Sequence, residues 1–176
     1  MPGRVTIGLY NSYDPVKFHE SHRRALARAG PLALAFDCNL ATFGFPYDKE
    51  LGTPAEIAAW ISTTTSIGES GSYLIELSGK GRFSAFDFPK KGFPPQLGEV
   101  VVTTRKPMGA KRVTSSEVRS LVSSGRSVLL VFGLGPRGLP GAVFDMSSRH
   151  LDITGRGLSL ETCTALGAVV ALLKGR

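Results

Sequence analysis

Apolar residues along the chain fall into short, nearly continuous runs separated by amphipathic stretches, and that rhythm sets the first expectations. Val5–Tyr10 (VTIGLY) is apolar and β-branched, the pattern of a first strand. Asp14-Pro15 follows, an N-cap acid and then a proline at the first helical position, which predicts a helix to about Ala29 that stops at Gly30. Residues 31–40 (PLALAFDCNL) read as a second buried strand. Thr53-Pro54-Ala55-Glu56 is a capping box with proline at its first helical position, opening a helix through Ile61. A glycine- and serine-rich stretch, residues 67–72, leads into a short helix around residues 73–77.

Residues 83–88 form a candidate strand and residues 90–95 (KKGFPP) a loop. Residues 99–104 (EVVVTT) contain three consecutive valines, as fits a strand buried on both faces. Thr114-Ser115-Ser116-Glu117 caps a helix to about Ser124, and residues 127–132 (SVLLVF) are the most apolar strand of all. A short strand at residues 150–153 and a helix over residues 159–174 complete the pattern. Strands alternating with helices in this way imply an α/β fold, a mostly parallel sheet with helices on both faces. With no internal repeat and no linker, residues 1–176 read as a single domain.

Composition adds a partner class. A hydrophobic share of 42% supports a real core, while the formal net charge of +7 favours an anionic partner, nucleic acid foremost; solubility alone also accounts for a basic balance. Cys38 and Cys163 lie far apart in apolar surroundings, neither a disulfide framework nor a zinc pattern, so a reducing compartment is expected. The first strand follows Met1 without the apolar core of a signal peptide. No apolar run reaches the roughly 18–20 residues of a membrane span. The expectation is a cytoplasmic protein with no membrane association and no metal.

Candidate chemistry lies in three loops that follow strands, where open α/β sheets bind ligands. They are residues 103–107 (TTRKP), 133–141 (GLGPRGLPG) and 152–159 (DITGRGLS). Glycines let backbone amides approach a ligand, and a glycine loop before a helix adds the positive end of its dipole; each loop alone also reads as a simple turn. Gly133, Gly135 and Gly138 match the spacing of a dinucleotide-binding fingerprint, with Asp152 about 20 residues on, so an NAD-binding oxidoreductase is an alternative. Against it, the motif comes late, Pro136 and Pro140 disturb the helix it should open, and the first strand ends in Asn11-Ser12-Tyr13. His19 and His22 lack an acidic third ligand, His150 stands alone, and Gly68-Glu69-Ser70-Gly71-Ser72 fails the nucleophile-elbow pattern, which argues against a metal site and a hydrolase.

Taken in order, the three loops resemble the cofactor motifs of the SPOUT methyltransferase superfamily. Thr103-Thr104-Arg105 after a valine-rich strand resembles the first, and Val131-Phe132-Gly133 with Gly138-Leu139 the second. Leu158-Ser159-Leu160-Glu161-Thr162-Cys163-Thr164-Ala165-Leu166-Gly167 resembles the third. His22-Arg23-Arg24-Ala25-Leu26-Ala27-Arg28-Ala29-Gly30 is similar to the arginine-bearing first helix, and nearly the whole chain looks like an archaeal branch of that superfamily. The resemblance implies a deep trefoil knot in the C-terminal half, a homodimer, and S-adenosylmethionine as cofactor. It further implies transfer of a methyl group to a ribose 2′-hydroxyl or a base nitrogen of tRNA or rRNA. The implied cofactor residues are Thr103, Thr104, Gly133, Leu134, Gly135, Gly138, Leu139, Ile153, Gly155, Gly157, Leu158, Leu160 and Thr162. The last helix supports the dimer independently: Leu160, Cys163, Leu166, Val169, Val170, Leu172 and Leu173 leave little polar face.

By the same resemblance the acceptor-side arginine is Arg24, six residues before Gly30, with Arg23 its competitor. Arg24 can equally pair with Glu20 at i,i+4 on the helix surface. Glu161 replaces the asparagine of the family's Ser-Leu-Asn branch, and Gly135 stands where the second motif often has glutamate. Glu161 is a candidate general base, or an acid that merely complements the helix dipole. Arg23, Arg24, Arg28, Lys90, Lys91, Arg105, Lys106, Lys111 and Arg112 are candidate RNA contacts, and Phe88 and Phe93 are either stacking surfaces or core. The departures at Glu161 and Gly135 leave open an RNA-binding protein that keeps the fold without catalysis.

Overall fold

Strands with apolar side chains on both faces need partners on both edges and cover above and below. In the computed structural model, which describes residues 1–64 and 67–175, they obtain both in one sheet. The elements run β1 (Val5–Tyr10), α1 (Glu20–Ala35), β2 (Asn39–Phe43), α2 (Pro54–Ser62), α3 (Ser70–Gly79), β3 (Phe83–Phe86), β4 (Glu99–Thr103), β5 (Arg112–Val113), α4 (Ser115–Ser123), β6 (Val128–Gly133), α5 (Gly141–Asp145), β7 (Arg149–Leu151) and α6 (Thr162–Lys174). Among the described residues seven strands pair in the order β3-β2-β1-β6-β4-β7-β5. Every neighbouring pair is parallel.

Alternation along each strand divides the core in two. Ile7, Leu9, Leu130 and Phe132 belong to a cluster closed by α1, α2, α3, α4 and α6, through residues such as Leu26, Ile61, Leu74, Val118 and Val169. Phe43, Val102, Leu129 and Val131 belong to a second cluster, closed by Val143 of α5 with Phe93 and Leu139. Helices therefore cover both faces, though unequally.

The largest departure from the sequence pattern is α1. Asp14 and Pro15 do not open it. The Asp14 carboxylate instead accepts the amides of Val16 (2.8 Å) and Lys17 (3.1 Å), a local turn that competes with the helix. The helix starts at Glu20, and the His19 amide donates to Nδ1 of His22 at 3.0 Å. It then runs through Gly30 and Pro31 to Ala35, where an apolar strand was expected. Ala25, Leu26, Ala29 and Ala33 are buried on one stripe, and α1 packs along α3. Extending that apolar contact outweighs the hydrogen bond that Pro31 removes, so β2 begins only at Asn39.

Other elements shift less. α6 begins at Thr162 rather than residue 159 because Glu161 is its N-cap. β7 ends at Leu151, since Asp152 starts a turn. The short α5 and β5 were not anticipated; Pro140 and Gly141 disguise the first, and the second has only 2 residues.

Both expected capping boxes form. Thr53 Oγ1 accepts the Glu56 amide at 3.2 Å while Glu56 Oε2 accepts the Thr53 amide at 2.9 Å, and Thr114 and Glu117 do the same for α4. Replacing Thr53 with alanine frees one amide of α2 and should lower the unfolding free energy by about 1 kcal/mol. The check is a denaturant titration, in which the midpoint falls and the slope is unchanged.

Candidate functional site

Parallel registration brings several strand ends to one edge. Tyr10 of β1 lies beside Gly133 of β6, and Thr103 of β4 beside Leu151 of β7. The segments leaving these strands, together with α1, enclose a cleft of about 1040 Å³.

The loop after β4 is held by its threonines. Thr103 Oγ1 donates to the Val131 carbonyl at 2.9 Å, and the Thr104 amide donates to the Leu151 carbonyl at 2.9 Å. Arg105 and Lys106 stay exposed beside the cleft. Further along, the Met108 amide donates to Nδ1 of the fully buried His150 at 3.2 Å, which leaves the ring proton on Nε2, facing the Phe144 carbonyl at 3.3 Å.

The loop after β6 folds back on the end of β1. The Leu134 amide donates both to the Tyr10 carbonyl (3.2 Å) and to Ser12 Oγ (2.9 Å), and the Ser12 hydroxyl donates to the Leu134 carbonyl. Space at Gly133 is tight: a Cβ would sit 3.0 Å from the Gly138 carbonyl carbon and 3.1 Å from Ser12 Oγ, so either neighbour would have to give by a few tenths of an ångström. Gly135 adopts φ +88°, a conformation that favours glycine.

The loop after β7 is organised by Asp152. Its carboxylate accepts the Thr154 amide (3.1 Å), the Thr154 hydroxyl (2.9 Å) and the Gly157 amide (2.8 Å). Burial pushes this carboxyl up, but those donors outweigh it and hold it below the ordinary range. Glu161 is arranged in the same way: its Oε2 accepts the Cys163 (3.0 Å) and Thr164 (3.1 Å) amides. Burial raises the Glu161 carboxyl, the amides lower it by more, and the net shift is downward. Thr162 Oγ1 ties this segment to the Gly133 carbonyl at 2.9 Å.

Most of the expected site residues meet in the cleft. Thr103, Thr104, Gly133, Leu134, Gly135, Gly138, Leu139, Ile153, Leu158, Leu160, Thr162 and Glu161 line it, as do Arg24, Arg28, Arg105 and Lys106. Gly155 and Gly157 do not; both adopt positive φ and shape the loop behind it. Arg23 is directed elsewhere, with its guanidinium 5.4 and 5.6 Å from the Phe18 and Trp60 ring centres and its Nη1 2.9 Å from Glu20. Arg24, one residue on, is the arginine that faces the cleft, 63% exposed and 3.7 Å from Glu20. Lys90 and Lys91 are exposed outside the cleft, Arg112 is exposed at the start of β5, and Lys111 Nζ donates to the Phe144 carbonyl at 3.3 Å. Phe93 is core, edge-on to Phe43 at 5.0 Å, and the Phe88 ring rests 5.3 Å from Tyr10.

Tyr13, Ser21, Met108, Arg137, Phe144 and Asp145, none of them among the expected site residues, also line the cleft. Arg137 had a local signal, its place in the glycine-rich loop 133–141, and so did Tyr13, just beyond the first strand.

Behind Tyr13 lies a polar cluster that anchors the end of β1. Buried Asn11 donates to the Asp14 (2.7 Å) and Gly44 (2.9 Å) carbonyls, and its Oδ1 accepts from the Tyr13 amide (3.2 Å) and from Nε2 of His22 (2.9 Å). His19 Nε2 and Asp14 Oδ2 pair at 2.6 Å. Burial, then the neighbouring His19 charge, lower the His22 pKa, so the folded protein favours neutral His22. A histidine with a depressed folded pKa contributes stability that is present above its unfolded value, near 6.5, and lost as pH falls below it. Between pH 8 and 5 the wild type should therefore lose stability more steeply than His22→Gln, read as the slope of the denaturation midpoint against pH. Equal slopes would remove His22 from the acid response.

A family model described as "Protein of unknown function (DUF531)" matches residues 5–174. The uncharacterised protein MJ0224 of Methanocaldococcus jannaschii is 41% identical over 170 residues, spanning 97% of this chain and 93% of that protein. Among solved structures, the fold is similar to that of a probable methyltransferase from Bordetella pertussis Tohama I, with TM-score 0.68 and 15% identity over 98% of this chain and 95% of that one. It is also similar to the A. aeolicus TrmH/SpoU tRNA modifying enzyme (TM-score 0.54, 15% identity, 98% of this chain and 76% of that one). A third likeness is to the SpoU methyltransferase AviRb from Streptomyces viridochromogenes in complex with AdoMet (TM-score 0.54, 13% identity, 98% and 57%). The seven-stranded α/β fold is thus similar to that of these methyltransferases, the fold class that the SPOUT resemblance implied. On the match across residues 5–174 and the 41% identical archaeal relative, the chain belongs to the DUF531 family.

Proposed function

We propose that this protein is an S-adenosylmethionine-dependent RNA methyltransferase, with donor and acceptor meeting in the cleft between the three strand-end loops and α1. The observation that carries the reading is the convergence of those loops on Arg24 in one cleft at the carboxyl edge of a SPOUT fold. Its volume, about 1040 Å³, exceeds what one nucleoside cofactor fills and leaves room for part of an acceptor. Leu134, Leu139, Ile153, Leu158 and Leu160 offer apolar walls to an adenine, and the loop backbones offer hydrogen-bonding groups to its edge and ribose. The AdoMet complex of the similarly folded AviRb supports the same cofactor here. When bound, S-adenosylmethionine supplies an activated sulfonium methyl.

The chain's own part is alignment and charge. Arg24 is held loosely by Glu20 and stays largely exposed, so its guanidinium is free to stabilise negative charge on the acceptor atom as it loses its proton. The Glu161 carboxylate caps α6 and is held below the ordinary range, which makes it a weak base; its role here is to position the third loop. Arg28, Arg105, Lys106 and Arg137 line the cleft with Arg24. Of the facing acids, Asp145, Asp152 and Glu161, the last two are tied to backbone amides. That excess of cations supports an anionic acceptor, RNA, with tRNA or rRNA as the class. The TrmH/SpoU tRNA modifying enzyme among the similar folds supports the same class.

A homodimer and a knotted C-terminal half belong to the same reading. α6 buries Leu166, Val169, Val170 and Leu173, but Leu172 is exposed, as are Leu158 and Leu160 just before the helix, an apolar remainder that a second copy would cover. β7 inserts between β4 and β5, both earlier in the chain, which supports threading of the segment that follows. The dinucleotide alternative fits less well. Gly133, Gly135 and Gly138 do not open a helix; Pro140 precedes a helix of only 5 residues.

Calorimetric titration with S-adenosylmethionine, S-adenosylhomocysteine and NAD tests the reading: the two sulfur compounds should bind, and NAD should not. The reverse result sinks it. Tritium transfer from the donor to total RNA should follow; binding without transfer would instead identify a non-catalytic RNA-binding protein. Arg24→Ala should reduce transfer by about a hundredfold or more while S-adenosylhomocysteine affinity stays within about twofold. Unchanged transfer would take Arg24 off the acceptor side.

A further inference from the structure

Among the described residues, four of the large apolar side chains left exposed, Tyr13, Met108, Leu158 and Leu160, line the same cleft. Tyr13 differs from the other three in being packed against neighbouring rings. Its amide donates to Asn11 Oδ1 at 3.2 Å. From behind, the His19 ring meets it edge-on at 5.3 Å and the His22 ring is tilted against it at 5.9 Å. His19 and His22 are in turn fixed by Asp14 and Asn11. Even so, the residue is 49% exposed. The cleft it shares also holds Arg24, Arg105, Lys106 and Arg137.

An aromatic ring that is preorganised, half exposed and set among cations is the arrangement that binds an unpaired nucleobase. The ring face takes the base by stacking, and the guanidinium and ammonium groups take the flanking phosphates. We propose that Tyr13 is the stacking platform for the acceptor nucleotide's base, so that this protein selects an unpaired nucleotide and does not act within a duplex. The inference rests on the methyltransferase reading above and adds to it the structural state of the acceptor. A base inside a helix has both faces covered by its neighbours and offers none to Tyr13, whereas a nucleotide in a loop or at an end offers one without the cost of unstacking. The phenol hydroxyl is not needed for this role; the ring is.

Binding is read by fluorescence anisotropy with a labelled 12-nucleotide single-stranded RNA of mixed sequence and with the same strand annealed to its complement. Wild type should prefer the single strand. Tyr13→Ala should weaken single-strand binding by about tenfold, with Tyr13→Phe within about twofold of wild type and duplex binding unchanged in both variants. S-adenosylhomocysteine affinity, measured on the same preparations, should not move. Three results overturn the proposal: no effect of Tyr13→Ala on single-strand binding, an equal loss in Tyr13→Phe, or a parallel loss of S-adenosylhomocysteine binding, which would place Tyr13 in the cofactor pocket or in the fold. Wild-type protein that binds S-adenosylhomocysteine but neither RNA form would overturn the RNA reading itself, and the platform with it.

Discussion

The parallel pairing of β6 between β1 and β4 is the constraint on which the cleft depends. It aligns Tyr10 with Gly133 and Val102 with Val131, so the chain leaves β1, β4 and β6 at the same edge of the sheet. The pairing does not stop where the strands do. The Leu134 amide continues it to Tyr10 and Ser12, the Thr103 hydroxyl reaches back to Val131, and Thr162 closes on Gly133. Each bond satisfies a backbone group that would otherwise be buried without a partner, so the loops take their shape from the requirements of the sheet.

Buried polar groups extend that order beyond the loops. Asn11 uses its amide to join the β1 end, the start of α1 and the turn after β2, and His22 completes the cluster from within the helix. His150 plays a similar part on the other side, between the loop after β4 and the Phe144 end of α5. Such groups are costly to bury unpaired, and here every one of these contacts is directional. These contacts join the segments that line the cleft, with Tyr13 just beyond β1 and Arg24 on α1.

Electrostatics then divides the labour inside it. Asp152 and Glu161 have their carboxylates committed to amides and a hydroxyl, which holds both below the ordinary carboxylate range. Arg24 is held less closely: it is largely exposed and 3.7 Å from Glu20.

Local pattern was enough for β1, β4 and β6, whose valine- and isoleucine-bearing apolar runs favour strands, and for α2 and α4, whose capping boxes use partners only three residues away. The three strand-end loops were legible for the same reason, since glycine, threonine and charge at a strand end are local features. Contacts between distant segments decided the rest. α1 persists through Pro31 because α3 covers its apolar stripe, and nothing in residues 31–40 encodes α3. Arg23 and Arg24 are adjacent and chemically alike, yet Phe18 and Trp60 hold one away from the cleft that the other faces. Phe93 became core through Phe43, and Tyr13 is braced at the cleft by His19 and His22. Spacing along the chain fixes which face of an element a side chain occupies, but only packing decides what that face meets.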